Sequence, residues 1–95
     1  MKEAEELRRL LDIEAIRDLA RRYAHCVWQG DADGAVALFS EDGVMDTGDR
    51  APLVGRENLR ETYLRIFREQ ELRPFVHNHV IDLQGDSATG TCYLD

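Results

Sequence analysis

The stretch that decides the fold is "DIEAIRDLARRYAHCVWQGDADGAVALF", which runs from Asp12 to Phe39. Its apolar residues recur every three or four positions, so they lie on one face of an amphipathic helix. Six residues share this spacing: Ile16, Leu19, Ala20, Tyr23, Ala24 and Val27. Gly30 is typical of the residue that follows a helix. Asp31 or Asp33 then caps a short second helix that contains Phe39.

Leu7, Leu10 and Leu11 precede the amphipathic face, and Asp12 marks either a fresh helix start or a slight bend between the two runs. Because the sequence alone does not decide between them, both interpretations stay open at this point.

The rest of the chain alternates short strands, one helix and a hairpin. "VMD" starts a short strand at Val44, and "LV" at positions 53–54 is a candidate second strand. Apolar spacing predicts a third helix over residues 56–70, which Pro74 prevents from continuing. "FVHNHVIDL" and "ATGTCYLD" then form a hairpin around "QGDS". This order predicts an α+β domain with helices on one face of an antiparallel sheet.

Composition limits the classes of function. The 95 residues are enough for one domain, predicted here to be 1–95, and the formal net charge of -7 argues against nucleic-acid binding. No stretch reaches the roughly 18 apolar residues of a membrane span, and the acidic N-terminus does not resemble a signal peptide. Cys26 and Cys92 fit neither a disulfide nor a metal framework, which is typical of a reducing compartment. A cytoplasmic location is therefore predicted.

The sequence ends at Asp95 within a predicted strand. The outer side of that strand is an unpaired edge, which proteins normally cover. We therefore expect either a homo-oligomer, a dimer or higher, that covers this edge through the sheet, or a domain whose C-terminal part is absent from this chain.

Three segments together resemble the SnoaL-like branch of the nuclear transport factor 2-like superfamily. The first segment runs from Asp12 to Asp46 and consists of "DIEAIRDLARRYAHCV" before Trp28 and "QGDADGAVALFSEDGVMD" after it. The second is "VGRENLRETY", and the third is "HNHVIDLQGDSATGTCYLD". This branch includes polyketide cyclases and dehydratases and, more distantly, ketosteroid isomerase. The resemblance implies a cystatin-like fold, in which a curved antiparallel sheet packs on three helices around a cone-shaped apolar pocket. It also implies two further C-terminal strands beyond the end of this sequence.

The resemblance to the dehydratases assigns three positions. Tyr23 matches the helix Tyr of these relatives, whereas their catalytic Asp falls on Trp28 and their His on Pro74. An indole cannot act as a general base. The dehydratase mechanism is therefore not expected here, and Trp28 is expected to fill or wall the pocket.

Other residues remain candidates for proton transfer. Tyr23 and Asp46 form a possible pair of oxyanion donor and base, although Asp46 also fits a solvated turn. Strand alternation places His77 and His79 on one face, with Asn78 on the pocket face, and a bulge after Pro74 would reverse this. The two histidines fit a general base, an interface, or a metal pair without an evident third ligand, so no metal and no cofactor are predicted.

The sequence therefore favours a domain that binds a small apolar molecule, polyketide-like or steroid-like, in a conical pocket. Two alternatives stay open: an active lyase or isomerase that uses Tyr23 with Asp46 or with a histidine, and a shortened or engineered oligomerising scaffold without catalysis. The residues expected to line the pocket are Val27, Trp28, Phe39, Tyr63, Phe67, Val76, Asn78 and Val80.

Overall fold

The computed structural model describes residues 2–95 and contains three helices and four strands in an α+β arrangement. Their bounds are α1 Lys2–Gln29, α2 Ala32–Val36, β1 Val44–Met45, β2 Leu53–Val54, α3 Arg56–Glu69, β3 Val76–Gln84 and β4 Ser87–Leu94. The described residues divide into two compact units, the first formed by residues 2–24 and 74–95 and the second by residues 25–73. The helix, strand and hairpin order predicted from the sequence is confirmed.

Helix α1 is continuous through Asp12. The expectation of a restart there is wrong, because Asp12 lies within reach of Arg8 (4.0 Å), one turn earlier, and so supports the helix as a side-chain pair. A second pair one turn apart joins Arg22 to Asp18 at 2.6 Å. The helix ends before Gly30, whose φ of 66° is the left-handed conformation that glycine adopts readily.

Helix α2 begins at a side-chain cap. The Asp31 carboxylate accepts a hydrogen bond from the Gly34 backbone N–H at 2.9 Å, which satisfies a donor that the first turn leaves unpaired. The helix ends at Val36, and Phe39 lies in the turn that follows, where its N–H donates to the Val36 carbonyl at 3.0 Å. Asp31 is thus the cap, and the prediction that helix α2 contains Phe39 is wrong.

The second unit holds nearly all of the buried apolar side chains. Strands β1 and β2 pair antiparallel, with Val44 opposite Val54. Helix α3 packs beside α2 and contributes Leu59, which is completely buried. The buried residues of this unit are Val27, Ala32, Ala35, Val36, Leu59 and Tyr63. At the start of α3, the Nε of Arg56 donates a hydrogen bond to the Phe39 carbonyl oxygen at 2.8 Å, which joins this helix to the turn after α2.

In the first unit, strands β3 and β4 form a separate antiparallel hairpin around the turn at Gly85, whose φ is 59°. Its register shifts between Val76 and His79, which marks a bulge. As a result Val76 and His79 are half-buried, whereas His77 and Asn78 are exposed. The bulge that the sequence left open after Pro74 is therefore present, and it breaks the strict alternation that would place both histidines on one face.

Candidate functional site

Two grooves contain most of the residues that the sequence singled out. The first, here called the Trp28 groove, lies in the second unit and has a volume of about 300 Å³. It is lined by the end of α1 and by the end of α3 with the segment after it. Its side chains include Val27, Trp28, Phe67, Leu72 and Arg73. The lining also includes Gln29, Gln70 and Glu71, so the groove combines an aromatic and aliphatic wall with amide groups, one cation and one anion.

Arg73 lies over the indole of Trp28. The guanidinium carbon is 4.9 Å from the ring centroid, a cation–π geometry, and Nη1 lies 3.4 Å from the Trp28 carbonyl oxygen. The Trp28 side chain is 39% exposed, so the indole forms a wall at the surface rather than part of the buried core. No polar or charged residue is buried among residues 2–95, so no acidic side chain occupies the described interior.

The second groove, here called the histidine groove, lies in the first unit and has a volume of about 390 Å³. Its lining comes from one face of α1 and from the bulged start of β3. The residues are Arg17, Arg21, Val76, His77, Asn78 and His79. Four of these six side chains carry or can carry positive charge, which makes the groove strongly polar.

The two histidines of this groove have different surroundings. His77 is exposed, and its Nε2 lies 3.5 Å from a carboxylate oxygen of Asp95. The Nδ1 of His79 is buried and has no hydrogen-bond partner among residues 2–95. The Nε2 of His79 lies 3.3 Å from the position where a Cβ on Gly90 would stand, so the missing side chain of Gly90 leaves room for the imidazole.

The other two proton-transfer candidates belong to different units. Tyr23 is half-buried on α1 in the first unit. Asp46 is exposed in the second, where its carboxylate accepts a hydrogen bond from the Gly48 N–H at 2.9 Å. This bond spans two residues and closes an Asx turn, so the carboxylate has a local structural role.

The remaining predicted pocket residues are divided between core and surface. Tyr63 is buried and stacks on Phe67, with ring centroids 5.6 Å apart, and its hydroxyl lies 3.9 Å from the sulfur of Met45. Phe39 is half-buried, and its carbonyl accepts from Arg56. Val80 is 52% exposed on β3.

The side chains whose pKa values are clearly shifted are exposed. A hydrogen bond from Thr47 holds the pKa of Asp49 below its usual value, with smaller contributions from its own backbone and from Arg50. The pKa of Arg21 is raised by its hydrogen bond to Glu14, and the pKa of Arg60 is raised by its hydrogen bond to Asp33. Over residues 2–95, no group of three or more His, Cys, Asp or Glu side chains could hold a metal ion.

Sequence reasoning missed the arginines of both grooves. Arg73 had no signal beyond its place before Pro74, since stacking on Trp28 depends on a contact across 45 positions. Arg17 and Arg21 did carry a signal, because residues four apart lie on one helix face.

Comparison with known proteins identifies the protein family to which the chain belongs. The sequence profile of the SnoaL-like domain matches residues 8–94, so the chain belongs to the SnoaL-like domain family. No functionally curated protein matches the sequence at a significant level. Among the described residues, no helix combines the length and apolar character needed to cross a membrane.

Solved structures agree with this assignment. An Asp-to-Asn variant of a Mycobacterium tuberculosis protein of unknown function has a TM-score of 0.83 at 28% identity, over 90% of this chain and 53% of that one. An NTF2-like protein with a cystatin-like fold from Novosphingobium aromaticivorans has a TM-score of 0.79 at 29% identity, over 94% and 60%. This chain thus spans less than two thirds of either relative.

A ketosteroid isomerase-like protein from Erwinia carotovora atroseptica has a TM-score of 0.62 at 20% identity, over 83% of this chain and 75% of that one. This similarity concerns the fold. The predicted NTF2-like, cystatin-like fold is confirmed, and it is a fold consistent with binding of small molecules.

Proposed function

We propose that this SnoaL-like domain binds a small, largely apolar molecule, and that Trp28 forms part of the binding wall where dehydratase relatives carry a carboxylate. The observation that carries the proposal is the Trp28 groove, in which the indole stands beside Phe67 and Leu72. Apolar walls with a few polar groups are typical of small-molecule sites.

Arg73 gives this site a cationic hydrogen-bond donor. Its guanidinium is held over the indole, its Nη1 is also 3.3 Å from the Leu72 carbonyl oxygen, and its Nη2 is 3.4 Å from a carboxylate oxygen of Glu71. A ligand that carries a carbonyl group finds a hydrogen-bond donor beside an aromatic surface. This supports a polyketide-like or steroid-like ligand with at least one ketone, and a function in binding rather than in dehydration, because an indole cannot accept the proton.

A lyase or isomerase that works by proton transfer is the second candidate. It would use Tyr23 with Asp46 or with one of the two histidines, and the observation in its favour is the half-buried imidazole of His79 in the histidine groove. Against the Asp46 version stands the Asx turn, which already engages that carboxylate.

The proposal extends to assembly. In this account residues 1–95 form one SnoaL-like domain, and a second copy covers the sheet edge at β4. Exposed apolar side chains on the hairpin, among them Phe75, Tyr93 and Leu94, support this arrangement. Sedimentation equilibrium at micromolar concentration tests it: a dimer or higher oligomer is expected, and a stable monomer contradicts it. A shortened scaffold without a ligand would oligomerise but bind no small molecule.

Equilibrium dialysis with progesterone, a polycyclic ketone, tests the binding function. We expect Trp28→Ala to weaken binding by about tenfold, because it removes a large contact surface worth roughly 1–2 kcal/mol. Leu7→Ala is the control, since Leu7 is 59% exposed and lies outside the groove. Equal affinities in all three proteins would contradict the proposal, and turnover of a hydroxylated ketone by the native chain would favour the lyase.

A further inference from the structure

We propose that the histidine groove binds a small organic carboxylate, with Arg17 and His79 as its main contacts. This site lies in the first unit and takes a different class of ligand from the Trp28 groove. It therefore stands apart from the binding of an apolar ligand proposed above.

The charges of the groove favour an anion. Arg17 and Arg21 lie one helical turn apart on α1, and both line the groove. Arg21 donates to Glu14 at 2.5 Å, so a neighbouring carboxylate already matches its charge. Arg17 forms no ion pair with any residue in the range 2–95, which leaves its guanidinium available to a ligand. Guanidinium and carboxylate pair through two parallel hydrogen bonds, which makes this pairing geometrically specific.

His79 supplies the second observation. A buried nitrogen without a partner is unfavourable, and native proteins leave few of them. This nitrogen is Nδ1 of His79, a residue that lines the groove, while Nε2 on the other side of the ring lies 3.3 Å from where a Cβ on Gly90 would stand. Protonated at Nδ1, the imidazole donates to an acceptor such as a carboxylate oxygen, so a bound carboxylate would satisfy it.

The remaining lining sets the charge and size of the ligand. His77 faces the carboxylate of Asp95, and Glu14 faces Arg21, so two acidic groups already stand close to the groove. One unmatched arginine suits a monoanion and disfavours a phosphate dianion. Val76 contributes an apolar wall, and a volume of about 390 Å³ has room for the body of a small aromatic or aliphatic acid.

Titration with sodium benzoate at low salt, followed by the ring signals of the histidines in ¹H–¹⁵N NMR, tests the proposal. We expect the His79 signals to shift with saturation. Arg17→Gln should weaken binding by about fivefold, the factor that an exposed ion pair supplies. Arg9→Gln is the matched control, because Arg9 is an exposed arginine of the same helix that does not line the groove. That variant should change the affinity less than about twofold.

Three results would overturn the proposal. They are an absence of any His79 shift at about 50 mM benzoate, an equal loss of affinity in both arginine variants, and tighter binding of inorganic phosphate than of benzoate at these residues. Progesterone binding is independent of all three, because Trp28 and its groove are unchanged in these variants. Failure here is therefore distinguishable from failure of the proposed function.

Discussion

The two units of this chain are stabilised in different ways. The unit of residues 25–73 buries six apolar side chains, including Leu59 and Tyr63, between short elements. In the other unit the β3–β4 hairpin has no fully buried side chain, and backbone pairing holds it together. We therefore expect buried apolar side chains to contribute most of the stability of the unit of residues 25–73, and main-chain hydrogen bonds to contribute most of the stability of the hairpin.

The largest effect is expected at Leu59, which is completely buried. Leu59→Ala should lower the free energy of unfolding by about 2–5 kcal/mol, because it removes buried apolar surface and leaves a cavity. Urea denaturation followed by circular dichroism measures this. A loss below about 1 kcal/mol would contradict the central place given to α3 in the core.

Ile81 provides the corresponding change in the hairpin. It is half-buried on β3, opposite Gly90. Ile81→Ala should lower the free energy of unfolding by only about 1–2 kcal/mol. Folding buries less apolar surface at this position, and water can enter the space that the substitution opens. The same urea denaturation serves as the measurement. If Ile81→Ala cost as much as Leu59→Ala, the contrast between the two units would be wrong.

Gly34 tests the cap of α2. Alanine normally stabilises a helix relative to glycine. Here a Cβ on Gly34 would stand 2.8 Å from Cγ of Asp31 and 2.9 Å from Sγ of Cys26, so the cap would have to move. Gly34→Ala should therefore destabilise the protein by about 1–2 kcal/mol in thermal denaturation. A rise in melting temperature would show that the capping geometry is not required.

The smallest effect is expected at the surface ion pair of the same unit. Arg60 lies 2.5 Å from Asp33, but both side chains are more than half exposed. Arg60→Gln should leave the melting temperature almost unchanged, because water screens such pairs. Thermal denaturation at low and high salt checks this, and a larger effect at low salt would show that the pair helps to join α2 to α3.

Local sequence patterns predicted the helices and strands, whereas the make-up of the candidate sites depends on contacts between residues that are far apart in sequence. The spacing of apolar residues gave α1 and α3, and the Gly-Asp turn gave the hairpin, because both signals lie within a few positions. The sequence raised a bulge after Pro74 only as an alternative, because no local signal decides whether it forms, and the different exposure of His77 and His79 follows from that bulge. The stacking of Arg73 on Trp28 had none either, since the two residues are far apart in sequence.

The central claim is that the side chain of Trp28 contacts a small apolar ligand, and its fluorescence tests this most directly because it is the only tryptophan. On titration with progesterone, the account predicts a saturable change in emission intensity with a shift to shorter wavelength, as the ligand excludes water from the indole. Leu72→Ala should weaken this response, whereas Leu7→Ala should leave it unchanged. An emission spectrum that stays constant while dialysis shows bound progesterone would contradict the claim.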